Sequence, residues 1–186
     1  ERFIMFEGVN GVKKSYVAGC PLYYEGDESS KVIVLVSGAC KAYKMSRDSE
    51  IFLYSLGAGA VISDLGGVAL SSVEFTADSE VLIYEIKDLK NSFSTLLLNA
   101  SIERGLLLSK ALDVGVVFDA VGKVANMLLS DIDSFNSLKR CVVAERLNIS
   151  SETLSRVLNR LLKSKFIEIN DRKVTVVNED ELLSFL

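Results

Sequence analysis

The sequence predicts an α+β chain: an N-terminal β-roll of jelly-roll type, then a long helix, then a C-terminal winged helix-turn-helix. Three observations predict it. Residues 12–86 are short apolar runs broken by Gly, Asp and Ser; residues 89–118 contain no Pro and repeat apolar side chains at helical spacing; residues 119–177 read as helices followed by two short alternating strands. The expected divisions are residues 1–98 for the β-roll, 99–118 for the long helix and 119–186 for the winged domain.

In the first part, Val32-Ile33-Val34-Leu35-Val36, then Ser37-Gly38, then Ala39 to Met45 read as two strands around a tight turn. Ile51 to Leu56 ends in Gly57-Ala58-Gly59, and Val81 to Ile86 supplies another strand of β-branched and aromatic residues. Strands at such even spacing close into a small barrel or jelly roll. After Lys87 the period changes, with Leu96, Leu97, Ala100, Gly105, Leu108, Leu112, Gly115 and Val116 at helical spacing. From Ile102 to Phe118 there are more apolar positions than a helix lying on one domain needs, so a second copy of the helix is expected to cover the rest. Burial within one chain is the competing reading.

Residues 119–131 predict a shorter helix with Val121, Val124, Ala125, Leu128 and Leu129 on one face, and Asp131 to Ser137 reads as a polar loop. Two more helices follow, then Phe166 to Ile169 and Val174 to Val177 as strands of a hairpin around an Asn-Asp turn.

Composition narrows the function. The chain has 186 residues and no histidine, which removes Ser-His-Asp and Cys-His catalysis, His-ligated zinc and proximal-His haem together. An enzyme is not expected. Cys20, Cys40 and Cys141 are far apart and lack CxxC spacing, so neither a disulfide framework nor a thiolate metal site is expected. No apolar run is long enough to span a bilayer, and Glu1 to Glu7 lack a signal-peptide layout, so the expectation is a cytoplasmic chain without membrane contact. The net charge of -4 is unevenly spread: residues 136–173 hold nine basic and four acidic side chains, which concentrates positive charge where phosphates could be met.

That basic stretch contains the most informative motif, Leu138 to Leu161. A helix-turn-helix needs a small residue where its helices cross, one tolerating positive φ at the turn, and a cap for the second helix. Ala144, Asn148 and Ser150 occupy those places. On the helix starting near Ser151, Leu154, Val157, Leu158 and Leu161 form an apolar stripe, and Ser151, Glu152, Ser155, Arg156 and Asn159 fall on the other side. An Arg there can bond guanine O6 and N7, and a Glu can accept from cytosine N4. The bland alternative is a solvated face carrying an i to i+4 Glu152–Arg156 pair.

These features resemble the Crp/Fnr superfamily over nearly the whole chain. Tyr24-Glu25-Gly26-Asp27 with Val32 to Gly38 looks like that family's strand, EGD turn and following strand; Leu56-Gly57-Ala58-Gly59 matches the approach to its ligand pocket, and Asp78-Ser79-Glu80-Val81 its last β-roll strands. Glu152-Thr153-Leu154-Ser155-Arg156 is similar to its E-x-x-S-R recognition helix. The resemblance implies a dimeric transcription regulator on double-stranded DNA, with TGA-containing half-sites in inverted repeat. Ser151, Glu152, Ser155 and Arg156 would read bases, Arg140, Arg172 and Lys173 would meet phosphates, and RNA polymerase is the expected protein partner. A different class, a ligand-binding signalling module acting through protein contacts, is the alternative.

The same resemblance places an effector pocket at Gly59, Ser63, Asp64, Ser71 and Ser72. The family holds a cyclic nucleotide with a Gly-Glu pair and a downstream Arg; here Ser63 and Asp64 stand in the pair's place and no Lys or Arg lies between Arg47 and Lys87. A cyclic nucleotide is therefore not expected, nor is an iron-sulfur cluster. Haem through Met5, Met45, Cys20 or Cys40 stays open, as does the effector's identity.

Overall fold

The computed structural model describes residues 11–46, 49–64, 67–89 and 94–186. The chain divides into two compact units, Glu1–Leu108 and Ser109–Leu186. The first holds β1 (Val12–Tyr16), β2 (Pro21–Tyr23), β3 (Glu28–Ser29), β4 (Lys31–Ser37), β5 (Ala39–Ser46), β6 (Ser49–Gly57), β7 (Val61–Ile62), β8 (Gly67–Val68), β9 (Ser72–Phe75) and β10 (Ser79–Glu85). One antiparallel sheet runs β1-β10-β4-β7, another β2-β9-β5-β6, and β3 pairs with β8 as a short ribbon. This is the expected β-roll.

The unbroken apolar run in β4 has a simple cause. Ile33 and Leu35 enter a core with Cys40, Val73, Phe75 and Val81, whereas Val32 and Val34 join Tyr84 under Ile86, Leu89 and Leu97. A strand covered on both faces has no reason to alternate. β4 and β5 are both strands as expected, but they do not pair: the chain turns a corner at Gly38 and β5 enters the other sheet. Gly38 sits at φ +89°, and a Cβ there would collide with Ser79 Oγ and lie 2.5 Å from the Asp78 carbonyl oxygen. Gly38→Ala is expected to cost about 1–3 kcal/mol from backbone strain alone, seen as a lower urea midpoint for the β-roll. An unchanged midpoint would show that the corner accepts a side chain.

Helix α1 (Ser94–Leu112) continues as π-helical turns over Asp113–Val117. Its Leu97, Leu107 and Leu108 pack on the β-roll. No α1 residue is fully buried, and Leu98, Ile102 and Leu106, spaced four apart, are 60%, 52% and 60% exposed.

The second unit contains α2 (Ala120–Ser130), α3 (Ile132–Ser137), α4 (Arg140–Arg146), α5 (Ser151–Lys163), β11 (Ile167–Asn170), β12 (Lys173–Val176) and α6 (Glu179–Leu183). Asp119 caps α2, its carboxylate accepting from the Val121 and Gly122 amides. Val124, Leu128, Phe135, Val143, Leu154, Leu161, Ile167 and Leu182 form one core. This is a winged helix-turn-helix.

One local expectation is corrected here. Residues 131–137 were expected to be a polar loop, but they form α3: Asp131 caps it by accepting from the Ser134 amide, and Phe135 is fully buried. The Asn136 side chain exchanges two hydrogen bonds with the Val174 backbone, at 2.9 and 2.8 Å, joining α3 to β12. The hairpin turn falls at Asn170 to Lys173, between the two expected strands. Asn170 pairs with Lys173, so Asp171 and Arg172 are its central residues, at φ 49° and 66°. That register puts Ile167 and Val174 in the core.

Candidate nucleic-acid interface and effector cleft

The three backbone requirements of the helix-turn-helix are met where the sequence places them. Ala144 is 2% exposed between α4 and α5, Asn148 has φ 51°, and Ser150 Oγ accepts from the Thr153 amide at 3.1 Å. The cap starts α5 at Ser151, and this start decides which side of the helix is wet. Leu154, Val157, Leu158 and Leu161 are buried; Ser151, Glu152, Ser155, Arg156 and Asn159 are exposed.

The exposed side is partly organised. Arg156 Nη2 donates to Thr153 Oγ1 at 3.1 Å, and Ser150 Oγ donates to the same oxygen at 2.9 Å. Arg156 thus takes Thr153 as partner rather than forming the Glu152 pair that the spacing allows. Ser155 Oγ donates back to the Ser151 carbonyl at 2.9 Å. Glu152 lies in the first turn, where the partial positive charge of the helix end favours a carboxylate.

Arg172 and Lys173 are exposed at the hairpin tip. Arg140 is placed differently. Its guanidinium lies 4.5 Å from the Phe135 ring centroid, donates from Nη1 to the Phe135 carbonyl at 3.1 Å and from Nη2 to the Arg172 carbonyl at 2.8 Å. Burial lowers its pKa from the ordinary arginine value. It fastens the wing tip to α3.

In the β-roll, a cleft of about 520 Å³ is lined by Leu53, Tyr54, Leu70, Lys44, Arg104 and Asp64 among others. Of the expected pocket residues, Asp64 and Ser71 line this cleft. Ser63, Asp64, Ser71 and Ser72 are all buried, at 4%, 3%, 7% and 3% exposure. Ser72 Oγ is turned to the Glu25 amide, from which it accepts at 3.0 Å, and Ser63 Oγ has no hydrogen-bond partner. Gly59 stands apart, exposed in the turn before β7 at φ 91°, its amide donating to the Leu35 carbonyl at 2.7 Å.

The residue that sequence reasoning misses is Arg104. The stretch between Arg47 and Lys87 has no cation of its own; instead α1 brings Arg104 back to the β-roll, where its Nη1 pairs with Asp64 Oδ1. Tyr23 donates to Asp64 Oδ2 at 3.2 Å. Burial, with the charge of Asp64 second, pushes the Tyr23 phenol well above its ordinary pKa, so it stays a donor. Arg104, one of two basic residues on the largely apolar α1, was the available signal.

The sulfur candidates lie elsewhere. Cys40 is a fully buried core residue, and burial raises its thiol to about 11. Met45 is 58% exposed near the end of β5, Cys20 is half-buried, and Met5 lies outside the described residues. Among the described residues no group of three or more Cys, Asp or Glu is placed to hold a metal ion, and no helix is long and apolar enough to cross a membrane.

Comparison with known proteins agrees with this construction. The family model described as a cyclic nucleotide-binding domain matches residues 13–97, and that described as a Crp-like helix-turn-helix domain matches residues 122–185. FixK2 from Bradyrhizobium japonicum is 19% identical, with a TM-score of 0.71 over 94% of this chain and 96% of that one. A CooA mutant from Carboxydothermus hydrogenoformans is also 19% identical, with a TM-score of 0.76 over 94% and 87%. A CRP/FNR-family transcriptional regulator from Thermus thermophilus is 13% identical, with a TM-score of 0.68 over 94% and 97%. No curated protein matches the chain in sequence. Fold and motif together define a regulator class: a β-roll of cyclic-nucleotide-binding type joined to a DNA-binding helix-turn-helix. The chain belongs to the Crp/Fnr superfamily and is a transcription regulator of that type.

Proposed function

We propose that two copies of this chain, joined along residues 99–118, bind an inverted repeat with TGA-containing half-sites and respond to a signal in the β-roll. Ser151, Glu152, Ser155 and Arg156 read base edges, and Arg172 and Lys173 meet phosphates. Residues 1–98 form the sensor and residues 119–186 the reader, and RNA polymerase is the protein partner at the promoter. The single observation that carries this reading is the exposed polar side of α5 above a fully buried stripe. The uncovered Leu98, Ile102 and Leu106 favour the dimer. Two recognition helices on such a site must stand about 34 Å apart.

The test is selection of bound duplexes from random DNA, followed by sedimentation of the protein with and without the selected site. An inverted repeat bound by a dimer is expected. Enrichment of no sequence would remove the reading.

Arg140 is assigned a holding role in addition to its expected phosphate contact. Arg140→Ala should lower the urea midpoint of the winged unit and the DNA affinity together, because the Arg172 carbonyl loses its anchor. Arg172→Ala should leave the midpoint alone and reduce the salt slope of binding by about 2, roughly one phosphate contact in each half-site. An Arg140→Ala protein that melts like wild type would show that its backbone contacts carry nothing.

A further inference from the structure

The charged end of the β-roll cleft is already occupied by the chain's own groups. Asp64 follows β7 with its side chain 2% exposed, and both of its oxygens are engaged, by Arg104 from α1 and Tyr23 from β2. Among the described residues lining the cleft the cations are Lys44 and Arg104. Each is paired with a carboxylate of the same cleft, Lys44 with Glu25 and Arg104 with Asp64. Lys44 and Glu25 are both more than 40% exposed, so water weakens that pair. Arg104 is 22% exposed, and its partner is buried.

Lys44, hydrated at the exposed side, offers an anion only a screened charge, so an anion held by a desolvated cation of the cleft would have to take Arg104 from Asp64. That exchange leaves a buried carboxylate without its counter-ion, the costly way to break such a pair. It also brings a second negative charge beside the first. The apolar remainder of the wall, Leu53, Val68, Ala69, Leu70 and Leu108, offers a phosphate nothing in return.

We infer that the Asp64–Arg104 pair stands in for an anionic effector, closing the cleft to phosphate-bearing ligands and tying α1 to the β-roll without one. The DNA-binding form is then reached without such a ligand. This inference rests on the DNA-reading function proposed above, and it specifies the regulation of the same sensor: a built-in tie in place of a bound phosphate. Tyr23 completes the tie, so β2, the end of β7 and α1 meet at one carboxylate.

The experiment uses the full chain, 3′,5′-cyclic AMP as the anionic probe, and the selected duplex. Calorimetry on wild type should show no binding of cyclic AMP up to about 1 mM, where even a weak complex would form. Its DNA affinity should be the same with and without the nucleotide. Asp64→Asn keeps the side chain's shape but leaves Arg104 without a counter-charge. That variant should acquire measurable cyclic AMP binding and lose between about 5-fold and 150-fold in DNA affinity, the usual range of coupling between two sites. The double variant Asp64→Asn with Arg104→Gln should lose the acquired nucleotide binding, which a merely structural role for Asp64 would not require.

Wild-type protein that binds cyclic AMP, or that binds DNA only in its presence, overturns the inference. So does an Asp64→Asn protein that folds but changes in neither readout. If Asp64→Asn fails to fold, the wild-type titration decides alone. If no form binds any duplex, the DNA reading falls, and the nucleotide titrations still decide whether the cleft is closed to anions.

Discussion

Arg156→Ala should abolish most of the preference for the selected site while leaving the protein folded. A bidentate arginine contact to guanine is worth about 1–3 kcal/mol of discrimination, lost once in each half-site of an inverted repeat. Arg156 is exposed and tethered to Thr153 Oγ1, which is itself bonded to the Ser150 cap. Truncation therefore removes no core contact and leaves the cap in place. Fluorescence anisotropy on the selected duplex and on a scrambled one, at one stated salt concentration, gives the ratio directly. Affinity for the scrambled duplex should fall only slightly, because that binding is mostly phosphate electrostatics. A specificity ratio equal to wild type would mean that this side of α5 does not read bases.

Phe135→Ala should be the most destabilising single truncation in the winged unit, at about 3–5 kcal/mol. The ring is fully buried in the core with Val124, Leu128 and Leu161, and the Arg140 guanidinium covers it. Domains of this size are stable by only about 5–15 kcal/mol, so the loss is a large part of the total. Calorimetry should show the winged transition shifted down in temperature or missing. Cys141→Ser, a few positions on and exposed on α4, should leave it unmoved. A shift no larger than that of Cys141→Ser would mean that α3 contributes little to the core.

The same segment shows why part of the fold was hidden in the sequence. Only Ile132 and Phe135 are apolar among the six residues of α3, too few to set a period, so the stretch reads as a polar loop. What makes it helical is a cap at Asp131, one buried ring, and the two bonds from Asn136 to β12, 38 positions away. The turn at Gly38 is a similar case. Glycine marks the bend, but whether β4 and β5 form a hairpin or separate into two sheets depends on β9 and β10, which pair with them.

The helix-turn-helix was legible because its determinants are local. A small residue at the crossing, a left-handed turn residue, a cap and a period of apolar side chains all act within a few positions of one another, and Ala144, Asn148, Ser150 and the α5 stripe meet those conditions. The sequence by itself determined the succession of β-roll, long helix and winged helix-turn-helix, the wet and dry sides of α5 and the absence of histidine chemistry. Only the tertiary structure decided what neutralises Asp64 and where Arg140 points. Both are long-range electrostatic pairings: Arg104 comes from 40 positions away and the Arg172 carbonyl from 32. A charge's partner is set by which elements pack together, and neither composition nor period records that.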